Sequence, residues 1–185
     1  MRNYKPLNIQ EFESGEFKII PIRHEDRYLI MQWRNDQMYH LRQSKQLTKE
    51  DQDAYFENVV STLFSKDQPE QLLFSFLKDD ELIGYGGLVH INWTDKNAEI
   101  SFLMNTVLEK NHFEEYWFIY LGMIEKIAFQ QLSFHKIFTY AFDLRPKLYD
   151  VLESFDYRID AILKEHCFVN GEFKNVIIHS KWNLI

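Results

Sequence analysis

The stretch LLFSFLKDDELIGYGGLVHINWTDKNAEISFLMN, residues 72–105, decides the fold class. It contains three apolar runs separated by an Asp79-Asp80 turn and a polar loop, and runs of this length predict three antiparallel strands. Three of the chain's six glycines fall in the middle run, at Gly84, Gly86 and Gly87. Because glycine weakens a strand, this cluster indicates a bulge or a place where another chain or a ligand comes close.

The residues before this meander predict one strand and two helices. FKIIPI (17–22) is typical of a strand, and residues 24–35 carry apolar side chains typical of a helix with one buried face. Thr48 and Asp51 form a capping-box pattern, which predicts the start of a second helix. Residues 1–16 are polar and predict an irregular arm, so we assign the domain to residues 17–185.

The residues after the meander predict two more helices and three strands. From Phe113 onward, apolar residues recur every three or four positions, which predicts a long helix ending near Gln131. KIFTYAF (136–142) predicts a strand, Pro146 predicts a helix start, and an Asn-Gly turn at 170–171 predicts a terminal hairpin. The order β-α-α-β-β-β-α-β-α-β-β indicates a single α/β (α+β) domain with a mostly antiparallel mixed sheet and about four helices.

Composition argues against several classes of protein. The chain of 185 residues has a net charge of −7 and lacks the dense Lys/Arg stripe that nucleic acids or an anionic membrane would require. One cysteine, Cys167, excludes an intramolecular disulfide and a Cys-based zinc site, and the histidines lack a paired metal spacing, so we expect no metal. The chain has neither an apolar run of ~20 residues nor an apolar signal core, so we expect a cytoplasmic protein.

Several local stretches, taken in order, resemble the GNAT acetyltransferase family, in particular its ribosomal-protein-alanine and amino-sugar branch. They cover roughly residues 17–182 and read IIPIRHEDRYLIMQWRND, LIGYGGLVHINWTDKNAEISFLM, FHKIFTYAF, VLESFDY and LKEHCFVNGEFKNVIIHSKW. The resemblance implies a sheet that splays open between its fourth and fifth predicted strands. It also implies acetyl-CoA as co-substrate and a primary amine as acceptor, either a small molecule such as an amino sugar or a protein N-terminus.

The expected cofactor loop departs from the family pattern. There, a glycine-rich turn after the fourth strand and the next helix N-terminus bind a pyrophosphate through free N–H groups. This chain has no glycine in the corresponding bend at 109–115, and Glu114 and Glu115 would repel a pyrophosphate unless they only stabilise the helix end. Arg145 stands where the family often has Asn, and it is either a replacement phosphate contact or a solvated surface residue. The cofactor-binding candidates are Phe102, Leu103, Met104, Lys110, Asn111, His112, Phe113 and Arg145.

The resemblance also guides the choice of catalytic candidates. We favour Glu99 as general base because strand alternation directs it to one face, toward the cleft; the alternative is an edge charge paired with Lys96. His90 is the second candidate because its ordinary pKa suits proton transfer near neutrality, and the alternative is a structural histidine. The family's tyrosine acid would fall at Leu152, so Tyr149, on nearly the same helical face, is the substitute candidate unless it only packs.

The end of the first helix supplies the acceptor-binding candidates, Trp33, Arg34 and Asn35. Trp33 would stack on the acceptor, or alternatively serve as a core anchor. Three hypotheses remain: an acyl-CoA-dependent N-acyltransferase; the same enzyme with its pyrophosphate held by Lys110 or Arg145; and a GNAT-fold binding or scaffold protein that has lost acetyl-CoA binding. A homodimer is possible under each of them.

Overall fold

The computed structural model describes residues 2–183. The helices are α1 (Arg27–Asp36), α2 (Lys49–Tyr55), α3 (Ser61–Leu63), α4 (Thr106–Glu125) and α5 (Pro146–Ser154). The strands are β1 (Phe12–Ser14), β2 (Phe17–Pro21), β3 (Leu72–Lys78), β4 (Glu81–Asn92), β5 (Asn97–Met104), β6 (Lys136–Phe142), β7 (Arg158–Val169) and β8 (Glu172–Trp182). A π-helical turn, Phe56–Val60, joins α2 to α3, and a second one, Lys126–Gln131, extends α4.

These strands form one eight-stranded sheet in the order β1-β2-β3-β4-β5-β6-β8-β7, which confirms the predicted mixed α/β fold. All neighbours pair antiparallel except β5 and β6, which pair in parallel. That pairing covers only Asn97–Glu99 opposite Lys136–Phe138, and the two strands then diverge. The predicted splay is therefore present, between the strands numbered β5 and β6 here.

The sheet has a different helix on each face of its centre. Phe102 of β5 stacks on Trp117 of α4 at a centroid distance of 4.9 Å. The next residue, Leu103, points to the opposite face together with its cross-strand partner Tyr85, whose hydroxyl accepts a hydrogen bond from Arg34 of α1. Among residues 2–183, no helix is long and apolar enough to cross a membrane.

Residues 2–16, the described part of the predicted irregular arm, differ from what their polar sequence predicted. Tyr4 is fully buried, stacks on Phe64, and its hydroxyl donates to the Leu73 carbonyl. Phe12 begins strand β1, which pairs with β2. A few apolar side chains anchor this otherwise polar segment to the core. The polar composition of the segment as a whole does not indicate which residues do so.

The long helix starts seven residues earlier than its apolar periodicity predicted. It begins at Thr106, so the expected bend at 109–115 is helix and has no free main-chain donors to offer. Asn105 is its N-cap residue: the side-chain oxygen accepts hydrogen bonds from the N–H groups of Val107 and Leu108. The capping box predicted at Thr48 and Asp51 is present at α2.

The glycine cluster of β4 marks a close approach, as predicted, although the neighbours are parts of the same chain. A Cβ atom on Gly86 would lie 2.6 Å from the Tyr120 hydroxyl of α4 and 2.1 Å from the Ser101 carbonyl oxygen. Gly87 has a φ of +153° and faces the Leu72 carbonyl. Glycine at these positions lets β4 sit tightly against β3, β5 and α4.

Candidate active site

The divergence of β5 and β6 opens a narrow slot of about 140 Å³ through the sheet. Asn105 donates its backbone N–H to the Ile83 carbonyl on the β4 side. Since backbone groups alternate along a strand, the N–H groups of Met104 and Phe102 point to the other edge, where β6 has left the sheet. Phe102 lines the slot, so its backbone N–H is a donor available to an extended ligand there.

Two residues that line the slot each carry a buried polar side-chain atom with no hydrogen-bond partner in the structure. These are the Trp117 indole Nε1 and the Thr139 hydroxyl, on residues that are 1% and 4% exposed. A buried polar group without a partner costs free energy, so such groups are rare unless something else satisfies them. The slot therefore has the chemistry of a site for a chain of amide or ester groups.

Glu99 occupies the other side of the slot and is the centre of a charged cluster. The residue is 6% exposed; one carboxylate oxygen lies 2.5 Å from the Arg42 guanidinium and the other 2.8 Å from His90 Nδ1. The Arg42 guanidinium also lies over the Tyr140 ring, 4.6 Å from its centroid. The partner of Glu99 is thus Arg42 rather than Lys96.

His90 reaches Glu99 because β4 is irregular at this point. The register between β4 and β5 shifts between Val89 and Asn92, and His90 has a φ of +48°, in the left-handed region. Its side chain is 63% exposed, so the imidazole connects the buried carboxylate of Glu99 with solvent. Such a contact can carry a proton out of the slot.

The end of α1 holds the loop that presents Arg42. Arg34 donates to the Gln43 side chain at 3.1 Å, and Asn35 exchanges hydrogen bonds with the backbone of Leu47. Trp33 is 4% exposed and belongs to the core, so the expectation that it stacks on an acceptor is wrong. Arg34 and Asn35 position the wall of the slot and do not line it.

A larger cavity of about 950 Å³ lies beside the slot, between the starts of α4 and α5. Phe113 and Arg145 line both cavities. The Arg145 guanidinium lies 4.3 Å from the centroid of the Phe113 ring and 2.6 Å from the Glu109 carboxylate, with both side chains less than one-fifth exposed. Arg145 is therefore a partly buried, paired cation and not a solvated surface residue.

The start of α4 is not an open anion site. The Asn105 side chain occupies its first amides, and the hydroxyl of Thr106 donates to the Asp36 carboxylate at 3.1 Å. A pyrophosphate at this end would have to displace the cap and approach a negative charge. The glycine-loop cradle that the resemblance implied is absent.

A family model described as "Acetyltransferase (GNAT) domain" matches residues 19–178. This chain belongs to the GNAT acetyltransferase family. The fold is also similar to that of spermidine N-acetyltransferase from Vibrio cholerae in complex with CoA and spermine, with a TM-score of 0.78, 17% identity, and 92% of this chain and 97% of that chain covered. A dodecameric structure of the same enzyme in an intermediate state gives a TM-score of 0.76, 17% identity, and coverage of 92% and 95%. Among curated proteins, none matches.

The remaining cofactor-binding candidates of this GNAT domain lie in different places: some line a cavity, and others are buried in the core or pack against a neighbouring helix residue. Lys110, Asn111 and Phe113 line the larger cavity, whereas His112 stacks on Tyr116 and does not line it. Phe102 lines the slot, while the side chains of Leu103 and Met104 are buried in the core, as is Leu152.

Tyr149 is a weak candidate for the acid. Its hydroxyl donates to the Phe142 carbonyl at 3.2 Å, and burial raises the pKa of Tyr149 to about 12. Its ring stacks on His179 at 5.0 Å, and it lines neither the slot nor the larger cavity. The packing alternative describes these contacts better.

Sequence reasoning missed the two residues that most define the slot, Arg42 and Thr139. Arg42 lies 57 positions from Glu99 in a polar loop, and no local pattern relates the two. Thr139 is one of two buried residues in the mostly apolar strand KIFTYAF. A hydroxyl in a strand predicted to be buried was the one available signal, because such a group needs a partner.

Proposed function

We propose that this GNAT domain transfers an acetyl or short acyl group from CoA to a primary amine, by direct attack within a ternary complex. The single observation that carries the proposal is the slot with its two unpartnered polar atoms, Trp117 Nε1 and Thr139 Oγ1. The pantetheine arm of CoA is an extended chain with amide groups and a terminal thioester. It fits a narrow slot that offers buried hydrogen-bonding groups along its length.

In this proposal, one side of the slot polarises the acyl carbonyl and the other side removes a proton from the amine. The backbone N–H of Phe102 or Met104 polarises the acyl carbonyl, as a donor aimed at developing negative charge does. On the other side, Glu99 accepts a proton from the attacking amine, and His90 at 2.8 Å passes it to solvent. The C–N bond forms as the C–S bond breaks, and solvent protonates the departing thiolate.

The acceptor reaches the slot through a third cavity of about 360 Å³, near the tip of the β7–β8 hairpin. Leu41, Arg42 and Phe142 line both this cavity and the slot. Its volume lies in the range of small-molecule sites, which favours a small amine such as an amino sugar over a protein N-terminus. A cytoplasmic location and a homodimer stay predictions.

Binding measured by calorimetry with acetyl-CoA and with pantetheine tests the proposal. We expect Trp117→Phe to weaken the binding of both ligands about five- to tenfold, because a neutral hydrogen bond is worth about 1 kcal/mol. Trp93→Phe is the matched control, since the Trp93 indole already donates to the Pro69 carbonyl at 2.9 Å, outside the slot.

The second measurement is acetyl transfer to a panel of amino sugars, monitored through the release of the CoA thiol. The scaffold alternative draws support from the capped start of α4 and from the Glu109–Arg145 pair. If neither acetyl-CoA nor pantetheine binds at millimolar concentration, the transferase proposal fails and the scaffold alternative stands.

A further inference from the structure

The ion pair between Glu109 and Arg145 is placed where a ligand phosphate would need a cation. Arg145 borders both the larger cavity and the slot, so a phosphate next to it would sit at the point where the two cavities meet. The guanidinium lies over the Phe113 ring, 4.3 Å from its centroid, so the ring helps to hold it in place. An arginine held in this way presents a fork of donors that suits phosphate oxygens.

Other anion sites around the larger cavity are less available. The start of α4 is occupied by its own cap at Asn105. Lys147 is paired with Glu114 at 2.9 Å, with both side chains more than half exposed, so its charge is well screened by water. Lys110 also lines this cavity but is exposed, whereas Arg145 is partly buried and lines both cavities.

In the structure, Glu109 is the ion-pair partner of Arg145. Its carboxylate lies 2.6 Å from the Arg145 guanidinium and is 15% exposed. Burial raises the pKa of Glu109 and the charge of Arg145 opposes that rise, so the carboxylate is costly to bury and depends on this arginine. The second neighbour of the guanidinium, His40, lies 3.5 Å away, and burial together with Arg145 lowers the pKa of His40 to about 3, which leaves it neutral.

We infer that Glu109 is an internal substitute for a phosphate group of CoA: the ligand phosphate takes over Arg145, and the Glu109 side chain must move out into the larger cavity. This inference rests on the proposed function and explains how a chain without the glycine loop holds the charged end of its co-substrate. It also means that the free protein lowers its own affinity for CoA, since each binding event breaks a partly buried ion pair.

The test compares Glu109→Gln with the wild-type protein by calorimetry, using CoA, dephospho-CoA and pantetheine. Gln keeps the shape of Glu109 and removes its charge, so we expect CoA to bind about tenfold more tightly, as a charge-assisted hydrogen bond no longer has to be broken. Pantetheine, which has no phosphate, should bind equally to both proteins. Equal gains for CoA and dephospho-CoA would place the pyrophosphate on Arg145, and a gain for CoA alone would place the 3′-phosphate there.

Glu115→Gln is the matched control. It removes one negative charge from the same cavity, further along α4, and frees neither Arg145 nor Lys147, because Glu115 contacts His112 instead. If this control tightened CoA binding as much as Glu109→Gln does, the gain would come from removing any negative charge near the cavity. That outcome would overturn the inference.

A double-mutant cycle keeps the inference testable even if one variant is less stable. Arg145→Ala should weaken CoA binding about tenfold, and adding Glu109→Gln to it should then change nothing. A gain from Glu109→Gln that persists without Arg145, or no gain in the wild-type background, overturns the inference while leaving the transferase proposal intact. Failure of the wild-type protein to bind either CoA or pantetheine overturns both.

Discussion

At the scale of single residues, Glu99 is buried but contacts His90, whose side chain is exposed to solvent. One carboxylate oxygen is held by Arg42 and the other faces His90, so the side chain has a fixed orientation within the slot. A general base needs this geometry before its pKa matters. Arg42 is then a positioning residue, and its contact with Tyr140 fixes it in turn.

Replacing Glu99 by Gln tests its role as base. We expect kcat to fall at least about a hundredfold at neutral pH, because general-base catalysis typically contributes 10²- to 10⁴-fold, while the affinity for acetyl-CoA stays unchanged. Steady-state rates and calorimetry on the same preparation check both halves of the expectation. Activity within threefold of the wild-type value would remove Glu99 from the mechanism.

The features of the site that the sequence did not predict depend on tertiary packing and backbone conformation, whereas those that it predicted follow from a local pattern. Glu99 was found because strand alternation is local, and it directs the side chain to a definite face. Arg42 was not, since the loop between α1 and α2 reaches Glu99 only through tertiary packing. The left-handed backbone of His90 likewise leaves no mark in the sequence, because histidine adopts it without a characteristic neighbour.

At the scale of elements, helix α4 decides where an anion can bind. Its first two turns are mostly polar and partly exposed, so the apolar periodicity that predicted the helix begins only at Phe113. The cap residue Asn105 was the missed signal for the true start. By contrast, the three strands of the meander were predicted within a few residues because their apolar runs are bounded by clear turns.

Replacing Asn105 by Ala tests the cap. The change frees the N–H groups of Val107 and Leu108, and we expect the free energy of unfolding to fall by about 1 kcal/mol. Urea denaturation provides the measurement. Asn111→Ala, in the middle of the same helix, should have little effect, and an equal loss in both variants would contradict the assigned cap.

At the scale of the whole molecule, His40 links stability to pH. The pKa of His40 is lowered to about 3 in the folded state, from an ordinary value of 6.5. As the pH falls below 6.5, the unfolded chain therefore binds the proton first, and stability is lost progressively toward pH 3. Above pH 6.5 the residue is neutral in both states and has no such effect.

Urea denaturation at pH 6.5 and pH 5.0 checks this expectation. The wild-type protein should lose about 1.6 kcal/mol more than His40→Gln over this interval, since the unfolded histidine goes from half to nearly fully protonated and a full difference of one proton corresponds to about 1.4 kcal/mol per pH unit. Parallel losses in the two proteins would mean that His40 is accessible to protons in the folded state.

The slot has two separate entrances, one from the large cavity past Phe113 and Arg145 and one from the hairpin side past Leu41, Arg42 and Phe142. Tyr39 borders both outer cavities and forms part of the partition between them. Under the proposed function, the thioester and the amine would enter through different openings, so one acceptor could replace another while the thioester stays bound, and the free thiol could leave without first displacing the amide product.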